Sequence, residues 1–214
     1  KVAYPFSQRI FKEELKNYFR EFNDRFTIGD GERVRSYYSG FRTDIFEEQA
    51  YNEETKLPLI QFDMTESIFD KECADCPAQY ASTQETPSKK WENVKTKLSD
   101  IDTSKIHYVK VPENHIVIDF DIPDKDGNKC LEKNIEEASK WPATYAELSK
   151  SGKGVHLHYI YNGDVSKLSR VYDAHIEVKV FTGLSSLRRK LTKCNGLQIA
   201  TISSGLPLKG EDKV

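Results

Sequence analysis

Asp119 and Asp121, two residues apart, close the segment His115-Ile-Val-Ile-Asp-Phe-Asp121. Alternate side chains of a strand share a face, so this spacing puts both carboxylates within reach of one hard divalent cation, which would relieve their mutual repulsion. An isolated Asp-x-Asp also fits the wet edge of a strand. Against that, Ile116, Val117, Ile118 and Phe120 make this strand apolar on both faces, and carboxylates ending a buried strand need partners.

A second group follows in Ser149-Lys-Ser-Gly-Lys-Gly-Val-His156-Leu-His158. Gly152 and Gly154 allow backbone amides close to an anion, while Ser151 and Lys153 add side-chain donors, so the turn could cradle a triphosphate. It could equally be an ordinary hairpin turn. His156 and His158 alternate onto one face, where either could donate to phosphate or ligate a metal. The GxxxxGK[ST] pattern is missing, which excludes a P-loop NTPase. Third, Ala174-His-Ile-Glu177-Val-Lys179-Val-Phe-Thr-Gly183 sets Glu177 and Lys179 on one face of an apolar strand, where they need solvent or a partner. Arg188, Arg189, Lys190 and Lys193 suggest a phosphate-contacting or simply solvated surface. Cys73-Ala-Asp-Cys76 is half a zinc site without a second pair.

These groups need elements to hold them. Phe11, Leu15, Tyr18, Phe19, Phe22 and Phe26 recur at spacings of three and four behind Ser7, which predicts an amphipathic helix over 7–26, ended by Gly29 to Gly31. Short strands and loops are expected over 33–69, a polar loop over 71–88, and a helix from Thr86-Pro87 to about Leu98. Then come a strand over 115–121, a turn at Pro123 to Gly127, and a helix from Leu131 to Lys140 stopped by Pro142. Further strands are expected over 144–148, 155–161, 175–181 and 197–202, with a short basic helix over 185–193.

A charged fraction of 31% and the 22 Phe and Tyr residues exclude collagen and low-complexity disorder, and four cysteines in 214 residues do not make a disulfide framework. With no run of about 18 apolar residues and no apolar stretch behind a basic leader, the expectation is a soluble cytoplasmic chain with no membrane partner. Starting at Lys1, it reads as a processed or excised fragment. Taken whole, the net charge of −2 argues against a nucleic-acid partner, but it conceals a division. From Tyr145 to Val214, eight Lys and three Arg against six acids give +5, leaving −7 for residues 1–144.

In order, IVIDFDIPD, SKSGKGVHLHY and HIEVKVFTG resemble the three motifs of the archaeo-eukaryotic primase superfamily, in its phage and plasmid primase-polymerase branch. Ala81-Ser82-Thr83 followed by Trp91 is similar to the stretch before the first motif in related phage enzymes. Tyr145-Ala-Glu-Leu-Ser149 is similar to their strand leading into the second. The resemblance covers about Ala81 to Gly183. It implies an α+β fold: an RRM-like catalytic sheet flanked by helices (106–214), with an N-terminal α/β module (1–105), the two forming one composite domain. It also implies template-directed nucleotidyl transfer on a DNA template and primer, from NTP or dNTP. Asp119, Asp121 and Glu177 would hold two Mg2+ or Mn2+ ions, and Ser151 and His156 would bind the nucleotide phosphates. Lys153 and Lys179 are added on chemical grounds, as cations beside the triphosphate. Phage origin, the bacterial host cytoplasm and a helicase domain continuing past Gly210-Glu-Asp-Lys-Val214 are implied in the same way.

Two other classes compete. His156-Leu-His158 resembles the His-hydrophobic-His motif of rolling-circle initiator and relaxase endonucleases, but no Tyr here has Lys three or four residues later, Tyr38 with Arg42 being nearest. A noncatalytic RRM-like nucleic-acid module has no use for Asp119, Asp121 and Glu177.

Overall fold

The computed structural model describes residues 8–29, 31–42 and 58–210. The chain divides into two compact units, Lys1–Lys56 and Leu57–Val214. In the first, helix α1 (Gln8–Leu15) and a 3₁₀ turn at Lys16–Tyr18 lead into β1 (Phe19–Thr27), which pairs antiparallel with β2 (Arg33–Phe41). The helix expected to reach Phe26 therefore ends at Leu15. Asn23 and Asp24 are poor helix formers, and the aromatics that imitate a helical stripe serve the hairpin instead. Phe22 stands in register with Tyr38, and Phe26 stacks on Tyr37 with ring centroids 4.2 Å apart. The expected Ser7 cap lies outside the described residues.

The second unit carries α2 (Ile68–Glu72), β3 (Ala78–Tyr80), β4 (His107–Val109), β5 (His115–Phe120), α3 (Leu131–Ala138), β6 (Ala146–Leu148) and β7 (Val155–Tyr161). It continues through β8 (Val171–Asp173), β9 (Ile176–Val180), β10 (Leu187–Arg189) and β11 (Ala200–Ile202). The strands form a six-stranded sheet ordered β11-β7-β5-β9-β8, with β6 also on β7, and a three-stranded sheet ordered β10-β4-β3. Every pairing is antiparallel except β11 with β7, which is parallel. With few helices, the fold class is α+β. Because β3 and β4 share a sheet, residues 78–105 belong with the C-terminal unit; the division falls at 56/57 and not at the expected 105/106.

All six residues of β5 are buried, as its apolar composition requires. One face, with Ile116, Ile118, Phe120, Leu157 and Tyr159, packs under Ala138 of α3 and the half-buried Ile135 and Trp141. On the other, Val117, Tyr145 and Phe181 meet Phe69, Leu98, Val109 and Leu187, from α2, the small sheet and its connections. This apolar contact ends at Val117, and the next residue on that face is Asp119. No helix among the described residues is long and apolar enough to cross a membrane.

Two expected helices are absent. The stretch 86–98 instead runs along β3 with 3₁₀ turns at Trp91–Asn93 and Leu98–Asp100. Its backbone groups are engaged elsewhere: Lys89 N–H donates to Gln79 Oε1 at 2.7 Å, Ala78 N–H to Thr96 O at 3.0 Å, and Leu98 N–H to Cys76 O at 2.9 Å. The basic helix over 185–193 is replaced by β10, in which Leu187 and Arg189 are buried and Arg188 is exposed. That period of two belongs to a strand. The polar loop over 71–88 likewise contains β3.

Candidate functional site

The register of the large sheet sets one row across four strands: Glu177 of β9, Asp119 of β5, His156 of β7 and Glu147 of β6. Directly paired residues of antiparallel strands project from one face, so acid, acid, imidazole and acid stand side by side. His156 Nε2 lies 3.1 Å from Asp119 Oδ1, and Lys179 Nζ donates to Asp119 Oδ2. Burial opposes ionisation of Asp119. The adjacent imidazole and ammonium outweigh it and hold the carboxyl well below the usual carboxylate range.

Asp121 continues the face one step beyond the strand, its N–H donating to His175 O at 2.9 Å, and Lys129 Nζ holds its two oxygens at 2.6 Å each. The Ser149–Gly154 turn abuts it. Gly152 takes φ +73°, while a Cβ on Gly154 would stand 2.8 Å from Asp121 Oδ1 and 2.9 Å from Ser149 Oγ, so the approach requires glycine. Gly154 N–H donates to Ser149 Oγ at 3.0 Å. Buried Asn134 of α3 clamps turn and strand end together: its Nδ2 donates to Lys153 O at 2.8 Å, and its Oδ1 accepts from Ile122 N–H at 2.8 Å.

These groups surround a cleft of about 280 Å³. Of the residues singled out from sequence, Asp119, Asp121, Ser151, His156, Lys179, Arg188, Arg189 and Lys190 line it. Lys153 and Glu177 are exposed and do not, although Glu177 keeps its place beside Asp119 in the row. Lys129 was missed from sequence, and Glu147, Ser149 and Lys150, quoted there within motif stretches, were given no role of their own; all four stand among the walls. Glu147 had a signal, since it alternates with Ser149 on a strand running into the turn; Lys129 had none.

Arg189 is a structural cation and not the solvated phosphate contact expected of a basic helix. Its side chain is 1% exposed, as is that of Glu147. Arg189 Nε donates to the Glu147 oxygens at 3.0 and 2.8 Å, Nη1 donates to Asp70, and Nη2 donates to Ser67 Oγ at 3.0 Å. Tyr145 OH donates to Glu147 Oε2 at 2.9 Å. Burial works against the charge on Glu147, but Arg189 and then His158 overcome it and keep the carboxyl far below its ordinary value. His158 belongs to this buried layer, hydrogen-bonded to His115 at 3.0 Å between Nδ1 and Nε2. It does not face the cleft with His156.

Among the described residues no three His, Cys, Asp or Glu side chains are gathered as a cation cage; Lys179 and Lys129 sit on the two aspartates instead. The donor chemistry nevertheless fits a hard divalent ion. Two carboxylates share a strand face, and Asp119 Oδ1 is buried without a well-directed hydrogen bond. Cys73 and Cys76 are free thiols, and burial pushes the Cys73 thiol up to about 12, the opposite of what a thiolate ligand needs. The sequence matches no family model and no curated protein.

Proposed function

We propose that the chain is a template-dependent nucleotidyltransferase, a DNA primase-polymerase built on an RRM-like sheet, that makes or extends primers in phage or plasmid replication. The observation that carries this reading is the convergence of Asp119 and Asp121, the Ser149–Gly154 turn and His156 on one cleft, flanked by Lys179 and Lys129. Two acids alone would repel a nucleotide. Acids with a donor-rich turn and cations around them suit a site that binds metal and polyphosphate together.

Asp119 and Asp121, with Glu177 adjoining, would hold two Mg2+ or Mn2+ ions, which when bound activate the primer 3′-hydroxyl and stabilise the departing pyrophosphate. Ser151 and His156 orient the incoming phosphates by donating to their oxygens. Lys179 and Lys129 exchange their carboxylate partners for phosphate and counter the charge that builds on transfer. Arg188 and Lys190, on the basic side of the cleft, meet template or primer phosphates, so affinity for DNA falls as salt rises. Arg189 serves this edge from beneath, as the anchor of Glu147. On this reading the enzyme works in a bacterial host cytoplasm, and a helicase domain in a longer chain is a natural companion.

A primer-extension and de novo priming assay with rNTPs and dNTPs, in Mg2+ and in Mn2+, tests the assignment. Incorporation should vanish in Asp119→Ala/Asp121→Ala with the fold intact; extension by that variant at the wild-type rate would refute it. The endonuclease reading demands a covalent tyrosyl-DNA product, and burial of His158 takes away the exposed His pair on which it relied.

A further inference from the structure

Glu85, Lys150 and Arg188, far apart in sequence, meet at the rim of the cleft. Lys150 Nζ donates to both Glu85 oxygens at 2.8 Å, and Arg188 Nη2 donates to Glu85 Oε2. Lys150 and Arg188 line the cleft with Lys190. Glu85 is delivered to them by a closed turn. Ser82 N–H donates to Thr86 O at 2.7 Å, Glu85 N–H to Ser82 O at 2.9 Å, and Tyr108 OH to Glu85 O at 2.5 Å. The turn holds Glu85 at φ +57°, a left-handed conformation that glycine or asparagine would adopt more readily.

We propose that Lys150 and Arg188 form a seat for a phosphate group and that the Glu85 carboxylate is its resident occupant, displaced when the phosphate arrives. Two cations face one carboxylate, so one positive charge in this trio is unmatched. A terminal phosphate, with nearly two charges and three acceptor oxygens, matches both cations at once, and successive diester phosphates of a strand, one charge each, match them together. The three side chains are 42–47% exposed, which leaves their pairing weak, screened by salt and easily exchanged. Ser149 and Ser151, whose hydroxyls lie 3.1 Å apart in the turn that carries Lys150, extend the donor set into the cleft. Glu85 thereby sets a threshold: a ligand must outcompete it, which phosphate does and a carboxylate metabolite does not. The seat rests on the nucleotidyl-transfer reading only for the source of the phosphate, either a nucleotide's polyphosphate tail or the backbone of a DNA strand.

Calorimetric titration of the whole chain in EDTA, with inorganic tripolyphosphate and separately with an unphosphorylated single-stranded oligonucleotide, tests this. Glu85→Gln, and independently the turn-compatible Glu85→Asn, should tighten binding roughly three- to ten-fold, the scale of breaking exposed ion pairs. Lys150→Gln should weaken binding by a similar factor and abolish most of the gain from Glu85→Gln. A gain with tripolyphosphate alone assigns the seat to the nucleotide tail, and a gain with the oligonucleotide alone assigns it to the strand. Unchanged or weaker binding of both probes by both Glu85 variants, at wild-type melting temperature, overturns the proposal. Since these affinities are read without metal or turnover, a chain that never incorporates nucleotide yet shows the Glu85 effect would lose the reaction and keep the seat.

Discussion

Lys179 of β9 reaches Asp119 of β5 and not Glu177, its neighbour on the same strand face. The buried aspartate is thereby compensated by an ammonium that is itself 40% exposed and free to swing away. Under the proposed function, protein cation and metal would be alternatives at one carboxylate, which would separate this site from a structural ion pair.

Metal binding should therefore stabilise the fold. Ligand that binds only the native state adds about 2.7 kcal/mol at 100 times its Kd. Mn2+ or Mg2+ should raise the melting temperature of the wild type, measured by scanning calorimetry, and should leave Asp119→Asn/Asp121→Asn unmoved. An equal rise in that variant would place the ion elsewhere.

Gly154 and Gly152 make opposite demands on space. Gly154→Ala drives a methyl group to 2.8 Å from Asp121 Oδ1 and 3.1 Å from Phe120 O, whereas Gly152→Ala meets nothing within 4 Å but must hold φ +73°. Overpacking costs about 1–3 kcal/mol and left-handed backbone about 1–2 kcal/mol. Urea denaturation should find both variants destabilised. Incorporation should fall further in Gly154→Ala, because only there is Asp121 pushed.

The strand over 155–161 and the strand ending at Phe120 were legible because β-branched and aromatic residues on two largely buried faces leave little else to form. The Asp119–His156 neighbourhood was implied only by the resemblance of the motifs, because nothing local in either strand says that the two pair with these residues opposite. Residues 19–27 were misread because Phe19, Phe22 and Phe26 satisfy a helical spacing and a hairpin's ring contacts alike, and only the partner strand decides between them. Arg189 was misread for a related reason. Composition marks a run of cations as surface, and nothing local announces that Glu147, Asp70 and Ser67 converge on one of them.

Acid should weaken the fold sooner than carboxylate titration alone explains. Burial, and then the neighbouring His158, push His115 down to about 3 from an ordinary 6.5, and burial lowers His158 as well. Between those two values the unfolded chain binds the proton and the folded chain does not, so stability rises with pH across the window and is lost as pH falls. Each such proton contributes a slope of up to about 1.4 kcal/mol per pH unit. Urea midpoints measured from pH 7.5 to 4.5 should begin to drop near 6.5. A flat profile down to pH 5 would mean that these imidazoles are protonated in the native state.

Removing Arg189 tests whether the layer beneath the cleft is held by charge. Arg189→Met keeps an unbranched side chain but removes the guanidinium that lies 4.5 Å from the Phe69 ring, and leaves the Glu147 carboxylate with Tyr145 OH at 2.9 Å and His158 Nε2 at 3.4 Å as neighbours. Breaking one side of a buried ion pair costs about 3–5 kcal/mol. Glu147→Gln should cost less, since Arg189 retains Asp70 and Ser67. The double variant should fall short of the sum of the two by an amount well above 0.5 kcal/mol, the coupling expected of direct partners. Additive losses in equilibrium denaturation would show that the two residues stabilise the junction separately, and would leave Glu147 as a cleft acid in its own right.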